Sequence, residues 1–418
     1  MSLNSLTKLL VIILLPLLFT AVSCNKPTEP PPVDDKPIVK NTIVLKTEWQ
    51  DLNRICIKFN KALDDTASLY KYTIKRKDVV GEEEVIIAAF SIYGNDTLYI
   101  DGTIDTLEMG KIYTYRITAA DKEENLKDTS NAITTATLSP TSHDFEWTID
   151  TLGVPGNFLN DIWGFDENNV FAVGGATLPD GGSTVIKWDG EKWSSIKNEP
   201  SLIKYGIYGF SSNEIWIVGN GLGPWGGVAF YNGQSFTTYY LDPGNPKYSD
   251  TIYALNAVWG ASPNDVWAVG GSGTIIHWDG VEWKKVQGIE RRYTLWAISG
   301  RSSNEVFATG KDMNTAEWIL YSYDGNSWTK KELGFSGPPR TGVWQAKSGE
   351  VFLIGTYPKM LRNGVLENMP INHRYAQSAV RGSTITNVFS VGHYGDVHHY
   401  NGKNWKTLSE LNTYPYRG

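Results

Sequence analysis

Asp265-Val266-Trp267-Ala268-Val269-Gly270 is the clearest of six copies of one phrase: an acidic or amide residue, Val or Ile, an aromatic, any residue, usually Val, then Gly. The other copies begin at Asn169, Glu214, Glu305, Glu350 and Asn387. Their closing glycines, from Gly174 to Gly392, are spaced by 45, 51, 40, 45 and 37 residues. Self-similarity at such a period decides the architecture before any single residue does.

Upstream of each phrase stands a second short motif. Its copies are Ile162-Trp163-Gly164, Ile207-Tyr208-Gly209, Val258-Trp259-Gly260, Ile298-Ser299-Gly300, Val343-Trp344-Gln345 and Val380-Arg381-Gly382. Downstream comes an aromatic followed by Asp-Gly or Asn-Gly: Trp188-Asp189-Gly190, Tyr231-Asn232-Gly233, Trp278-Asp279-Gly280, Tyr323-Asp324-Gly325 and Tyr400-Asn401-Gly402, with Asn363-Gly364 in the fifth unit. Such pairs predict tight hairpins with positive φ at both central residues. Three residues beyond that Gly lies a further aromatic in five units: Trp193, Phe236, Trp283, Trp328 and Trp405. Four short strands per unit predict an all-β chain whose residues 143–412 form a six-bladed β-propeller. Phe145 to Asp150 reads as an additional outer strand before the first unit; its pairing with the last blade, which already has the Trp405 strand, is left open. The recurrent Trp residues read as packing between blades, and the hairpin Asp residues as turn formers.

The chain opens with Lys8 and an apolar run from Leu9 to about Phe19, broken by Pro16. That run is shorter than the roughly 18–20 residues of a membrane span, so residues 1–23 read as a signal peptide. Its end, Ala21-Val22-Ser23-Cys24, resembles the lipobox of bacterial lipoproteins, with Ala where Leu is commoner. The resemblance implies a diacylated Cys24 at the mature N-terminus, and a cell-envelope, outer-membrane location facing the periplasm or the outside. Residues 24–37, with Pro27, Pro30, Pro31, Pro32, Glu29, Asp34 and Asp35, lack the apolar content to fold and read as a tether. A polar tether after the Cys resembles Bacteroidota surface lipoproteins.

Residues 38–139 alternate as strands do: Ile55, Ile57 and Phe59 share one face, and Cys56 falls on the other as a part-covered surface thiol. Leu107 stands six residues before Tyr113-Thr114-Tyr115. This spacing resembles the tyrosine corner of fibronectin type III domains, with Met109 for the usual Pro and Phe59 for the usual core Trp. The resemblance implies a sandwich with a spacer or adhesive role.

Composition narrows the chemistry. The 418 residues carry a net charge of -7 and no dense basic run, which argues against nucleic-acid binding. Cys24 and Cys56 are the two cysteines, so a lipidated Cys24 leaves no disulfide framework. No Gly-x-Ser-x-Gly elbow, His-Glu-x-x-His or phosphate loop occurs. His277 and His399 occupy the same place in units three and six, three blades apart, too far to share an ion; no metal and no cofactor is expected. The Asp-Gly-x-x-Trp hairpins resemble the Asp-boxes of sialidases but lack the residue between Asp and Gly. That resemblance would imply a carboxylate-gripping trio from Arg291 or Arg292, Arg340 and Arg374, for which no Tyr-Glu pair is evident.

A propeller places the loop after each second strand and the inter-blade loop on one face, and here those are the long ones. Trp225, Tyr248, Arg291, Arg292 and Tyr293 fall on them. So do Arg340, Tyr357, Arg374, Tyr375 and Tyr394. Aromatic faces suit sugar rings, and arginines grip carboxylates. The units are similar to those of secreted bacterial propeller proteins with Ile-Trp-Gly and Val-Trp-Ala-Val-Gly repeats. The expectation is a monomeric, non-enzymatic envelope lipoprotein binding a glycan or protein partner through this face. The alternative is a glycan-processing enzyme, sialidase-like or otherwise glycoside-active, centred on the channel mouth.

Overall fold

The computed structural model describes residues 39–408, except 79–82, 93, 95, 149, 151, 153, 155–157, 180, 222, 242–251, 337–341 and 373–375. Cys24, the leader and the tether lie outside the described residues. No helix among the described residues is long and apolar enough to cross a membrane.

The N-terminal part has two sheets. One consists of β1 (Lys40–Ile43), β4 (Lys71–Asp78), β5 (Val85–Ser91), β7 (Ile112–Ala120), β8 (Leu126–Ser130) and β9 (Ile133–Ala136), the other of β2 (Leu45–Gln50), β3 (Ile55–Asn60) and β6 (Asp96–Asp101). The alternation read from sequence holds: Ile55, Ile57 and Phe59 meet Tyr72, Ile74, Tyr115 and Ile117 in one core. The Glu108 N–H donates to the Tyr113 hydroxyl at 3.1 Å, the upstream bond that the Leu107–Tyr113 spacing predicts.

From Phe158 to Thr407 the chain folds as six consecutive four-stranded antiparallel sheets resembling propeller blades, each with strands in simple chain order. The repeated phrase is the second strand of each sheet. Its middle is mostly apolar because both faces of the strand are covered, as in the first sheet: Phe171 and Val173 pack toward the second sheet, while Ala172 packs into a cluster within the first. Its closing Gly has a steric cause. A bulge in the first strand brings a carbonyl against it, so a β-carbon on Gly219 would stand 1.8 Å from the Ile203 oxygen, and one on Gly270 1.9 Å from the Ala254 oxygen.

The hairpins differ from the expectation of two positive φ values. In five units the pairing aromatics flank a four-residue loop, as in Trp278↔Trp283, and the Gly carries the positive φ, +90° at Gly280, while Asp279 does not. The Asp side chain does the turning instead: Asp279 Oδ1 accepts the Val281 and Glu282 N–H groups. Only Asn363-Gly364, between paired Arg362 and Val365, has two positive φ values, 49° and 77°. The flanking aromatics form cross-strand pairs such as Trp188–Trp193, with ring centroids 5.8 Å apart.

Five apolar clusters join neighbouring sheets from the first to the sixth. No such cluster joins the sixth sheet to the first among the described residues. Ile162, whose counterpart Ile207 is fully buried, is 52% exposed. At this seam Arg381 Nη2 of the sixth sheet reaches Asp161 Oδ1 of the first at 3.5 Å. Phe145 and Trp147 form no strand; their rings pack on Phe389 of the sixth sheet at 5.3 and 6.3 Å. Leu152 then reaches the cluster of the first sheet, so this segment spans the seam with side chains rather than as an additional strand.

Candidate functional site

The first strands of the six sheets converge. Trp163, Tyr208, Trp259, Ser299, Trp344 and Arg381, one from each sheet, line a single cavity of about 590 Å³. The opposite wall is the sandwich face that carries Trp49, Cys56, Leu98 and Ile100. Cys56 pairs across the strands with Trp49 on one side and Ile100 on the other, which sets the wall's order. The second aromatic motif therefore does two things. Trp163 and Tyr208 touch at 4.4 Å around the rim, and the same rings face the cavity. Cys56 is not a part-covered surface thiol: it is 1% exposed, and burial, reinforced by Glu48, pushes its pKa up to about 11. Period-two alternation rightly places it opposite the sandwich core, but that opposite face is covered by the repeat region.

The polar groups of the cavity are few and held. Gln345 is buried; its backbone N–H donates to Ser299 Oγ at 3.0 Å and its Nε2 to Glu305 Oε1 at 2.6 Å. That fixes the amide, and its Oε1 has no hydrogen-bond partner. Trp163 Nε1 is likewise buried and unpartnered. Both atoms are closed to solvent, with less than 1 Å² accessible, so they are buried polar groups beside the cavity rather than contact points within it. Arg301 is bound to Glu305 Oε2 through Nη2 at 2.5 Å. Arg381 has only long contacts, to Asp161 and to the Val380 carbonyl, both at 3.5 Å. Burial raises the Asp161 pKa, with Arg381 and the N–H groups of Ile207 and Ile162 pulling the other way.

The sandwich is fastened beside this cavity by charge. Arg54 Nη2 reaches Glu350 Oε1 at 3.0 Å and Asp51 Oδ2 at 2.5 Å. Glu350, first residue of the fifth phrase, is 4% exposed and also accepts from Ser348 Oγ. Leu138, after β9, donates its N–H to the Asp51 carbonyl and packs into the cluster between the fifth and sixth sheets.

None of the described candidates of the loop-rich face expected to bind lines the cavity. Tyr248, Arg340, Arg374 and Tyr375 lie outside the described residues. Tyr293 is not an exposed contact: it starts a strand, is fully buried, and its hydroxyl takes bonds from Arg292 and Lys330 at 2.8 Å. Arg292 is engaged in turn with Glu290 at 2.9 Å and Asp312 at 3.3 Å. Trp225 is half-buried against Tyr253, 5.5 Å between centroids, in a bridge that latches two loops. Arg291, Tyr357 and Tyr394 are exposed. Among the described candidates, the structure thus brings together Arg292 and Tyr293.

Both repeated histidines are in use. His277 stacks on Trp267 at 3.9 Å and bonds Asp265 Oδ1 at 2.7 Å. His399 meets His143 of the segment before the first sheet, Nδ1 to Nδ1, at 2.9 Å. No group of three metal-ligating side chains occurs among the described residues.

No family model and no curated protein matches the sequence. Among solved structures, YCF48 bound to D1 peptide is 15% identical over 67% of this chain and 90% of that one, with TM-score 0.48. The WD40 repeats of RRP9 are 10% identical over 62% of this chain and 81% of theirs, at 0.45. The GH74 xyloglucanase from Xanthomonas campestris is 9% identical over 62% and 54%, at 0.38. At such values no residue role passes from these proteins to this one.

Proposed function

We propose that this chain is a non-enzymatic binding protein of the bacterial cell envelope, anchored through lipid on Cys24. In this reading a fibronectin type III-like sandwich stands on a six-bladed propeller, and the cavity between them receives part of a glycan. The observation that carries the reading is the lining: rings from Trp49, Trp163, Tyr208, Trp259 and Trp344 border one cavity. Sugar hydroxyls both donate and accept, and sugar rings lie on aromatic faces. A cavity of about 590 Å³ is of ligand size.

Glycoside cleavage in most families needs two carboxyl groups about 5–9.5 Å apart flanking the scissile bond. Among the described residues that line the cavity, Glu48 is the one carboxylate. That favours retention over cleavage.

The test is a glycan array probed with the chain and two sets of variants. Trp163→Ala with Trp344→Ala strikes the cavity; Trp225→Ala with Arg374→Ala strikes the loop-rich face. Loss of signal with the first set alone supports the reading. Loss with the second set alone moves the site to the other face, and shortened glycans recovered from the incubation would make the protein an enzyme.

A further inference from the structure

We infer that the sugar ring this cavity selects is an acidic one, bearing a carboxylate that pairs with Arg381. The inference rests on the cavity being the ligand site. Its first support is charge. The chain as a whole is acidic, net -7, yet the charged residues lining the cavity are Arg301, Lys347 and Arg381 against Glu48. Arg301 is neutralised by Glu305, in bonds of 2.5–2.6 Å through Nη2 and Nε. Arg381 is not matched in this way: its side chain is 45% exposed and its nearest carboxylate oxygen is 3.5 Å off. A guanidinium offers a planar fork of donors suited to two carboxylate oxygens, and shorter bonds than those it has here.

The second support is position. Arg381 stands in the same place of its repeat as Trp163, Tyr208, Trp259 and Trp344, so one aromatic of the rim is replaced by a cation. A sugar ring lying on the aromatic faces of this rim would bring a carboxylate on it toward Arg381 of the sixth sheet. A neutral sugar stacks and leaves Arg381 as it is; a carboxylated one does both. An acidic peptide brings carboxylates without a sugar ring for the aromatic faces.

The experiment is calorimetric titration of the whole chain with four probes: a glucuronic-acid-terminated disaccharide, a sialylated trisaccharide, a glucose-terminated disaccharide and an Asp-rich peptide. The expected result is that a carboxylated sugar binds about tenfold or more tighter than the glucose-terminated probe. Whichever of the two carboxylated sugars binds tighter identifies the source. Arg381→Met should abolish that difference, and Arg381→Lys should restore part of it. If Arg381→Met unfolds, the exposed Lys347→Ala keeps the test, with a severalfold weakening confined to acidic sugars. Equal or tighter binding of the neutral sugar overturns the acidic preference while leaving the cavity as a glycan site. Binding of the peptide alone, or sugar affinities indifferent to Trp163→Ala, overturns the cavity reading itself.

Discussion

The far edge of the Trp259 ring lies 2.7 Å from where a β-carbon on Gly300 would stand. The glycine of one sheet is the seat for an aromatic of the sheet before it. Trp344 sits on Gly382 in the same way, also at 2.7 Å, and Phe165 and Phe210 sit on Gly209 and Gly260 at 2.5 Å. The motif that reads Ile-Trp-Gly along the chain therefore works across it: apolar residue toward the preceding sheet, aromatic toward the rim, glycine beneath a neighbour's ring.

Gly300→Ala should overpack this contact and lower stability by about 1–3 kcal/mol. Gly175→Ala, with no atom within 4 Å of the added carbon, should leave stability nearly unchanged. Urea unfolding of the two variants beside the parent checks this; equal midpoints would show that the aromatic-on-glycine seat is not what the repeat conserves space for.

The docking of the sandwich should be readable through Cys56. Its thiol is buried against the cavity and its pKa is raised to about 11, so it should resist a thiol reagent at neutral pH. Arg54→Met leaves the Glu350 carboxylate buried without its 3.0 Å partner, a loss of about 1–3 kcal/mol. In a Cys24→Ser background, Arg54→Met should speed labelling of Cys56 several-fold at temperatures where the parent stays folded. Unchanged labelling would mean the ion pair does not hold the two parts together.

Strand order and hairpin positions were legible because they depend on neighbours in sequence. Trp188 pairs with Trp193 and Tyr113 receives its upstream N–H because each relation spans only a few residues. The cavity was not legible, since Cys56 and Gln345 line it from distant parts of the sequence and no local period encodes that. Tyr293 misled for a related reason: Gln287 to Thr294 is polar enough to read as loop, yet Lys330 from another strand buries the phenol. The absence, among the described residues, of an apolar cluster between the sixth and first sheets was equally hidden, because Ile162 and Ile207 are the same residue in the same motif and differ only in what stands opposite.

The two kinds of hairpin should respond oppositely to glycine. Asn363 has φ 49°, a conformation that glycine adopts freely, so Asn363→Gly should leave the melting temperature unchanged or raise it slightly. Asp279 holds its turn through its carboxylate, which accepts two N–H groups and the Lys284 ammonium and is held well below the usual carboxylate range, by Lys284 first. Asp279→Gly should therefore lower the melting temperature. A fall of similar size in both would show that all six turns are of one type.

The segment that spans the seam is pinned by a pair of histidines, and that makes the seam sensitive to acid. His399 is fully buried, its Nδ1 2.9 Å from His143 Nδ1 and its Nε2 3.1 Å from Asn387 Oδ1, between the rings of Phe145 and Phe389. His143 Nε2 meets Asn404 Oδ1 at 2.8 Å, and Asp144 and Lys406 are the nearby charged pair, at 3.6 Å. Burial first, and His143 second, lower the His399 pKa from 6.5 to about 4. A histidine depressed in the folded state binds its proton more readily when unfolded, so its contribution is complete above pH 6.5 and is lost as pH falls toward 4. The difference corresponds to roughly 3–4 kcal/mol at most, at about 1.4 kcal/mol per pKa unit. Thermal unfolding between pH 7.5 and 4.5 should show a steeper loss in the parent than in His399→Gln, whose side chain cannot titrate. Parallel slopes would mean that the proton is taken up elsewhere and that the seam is not opened by acid.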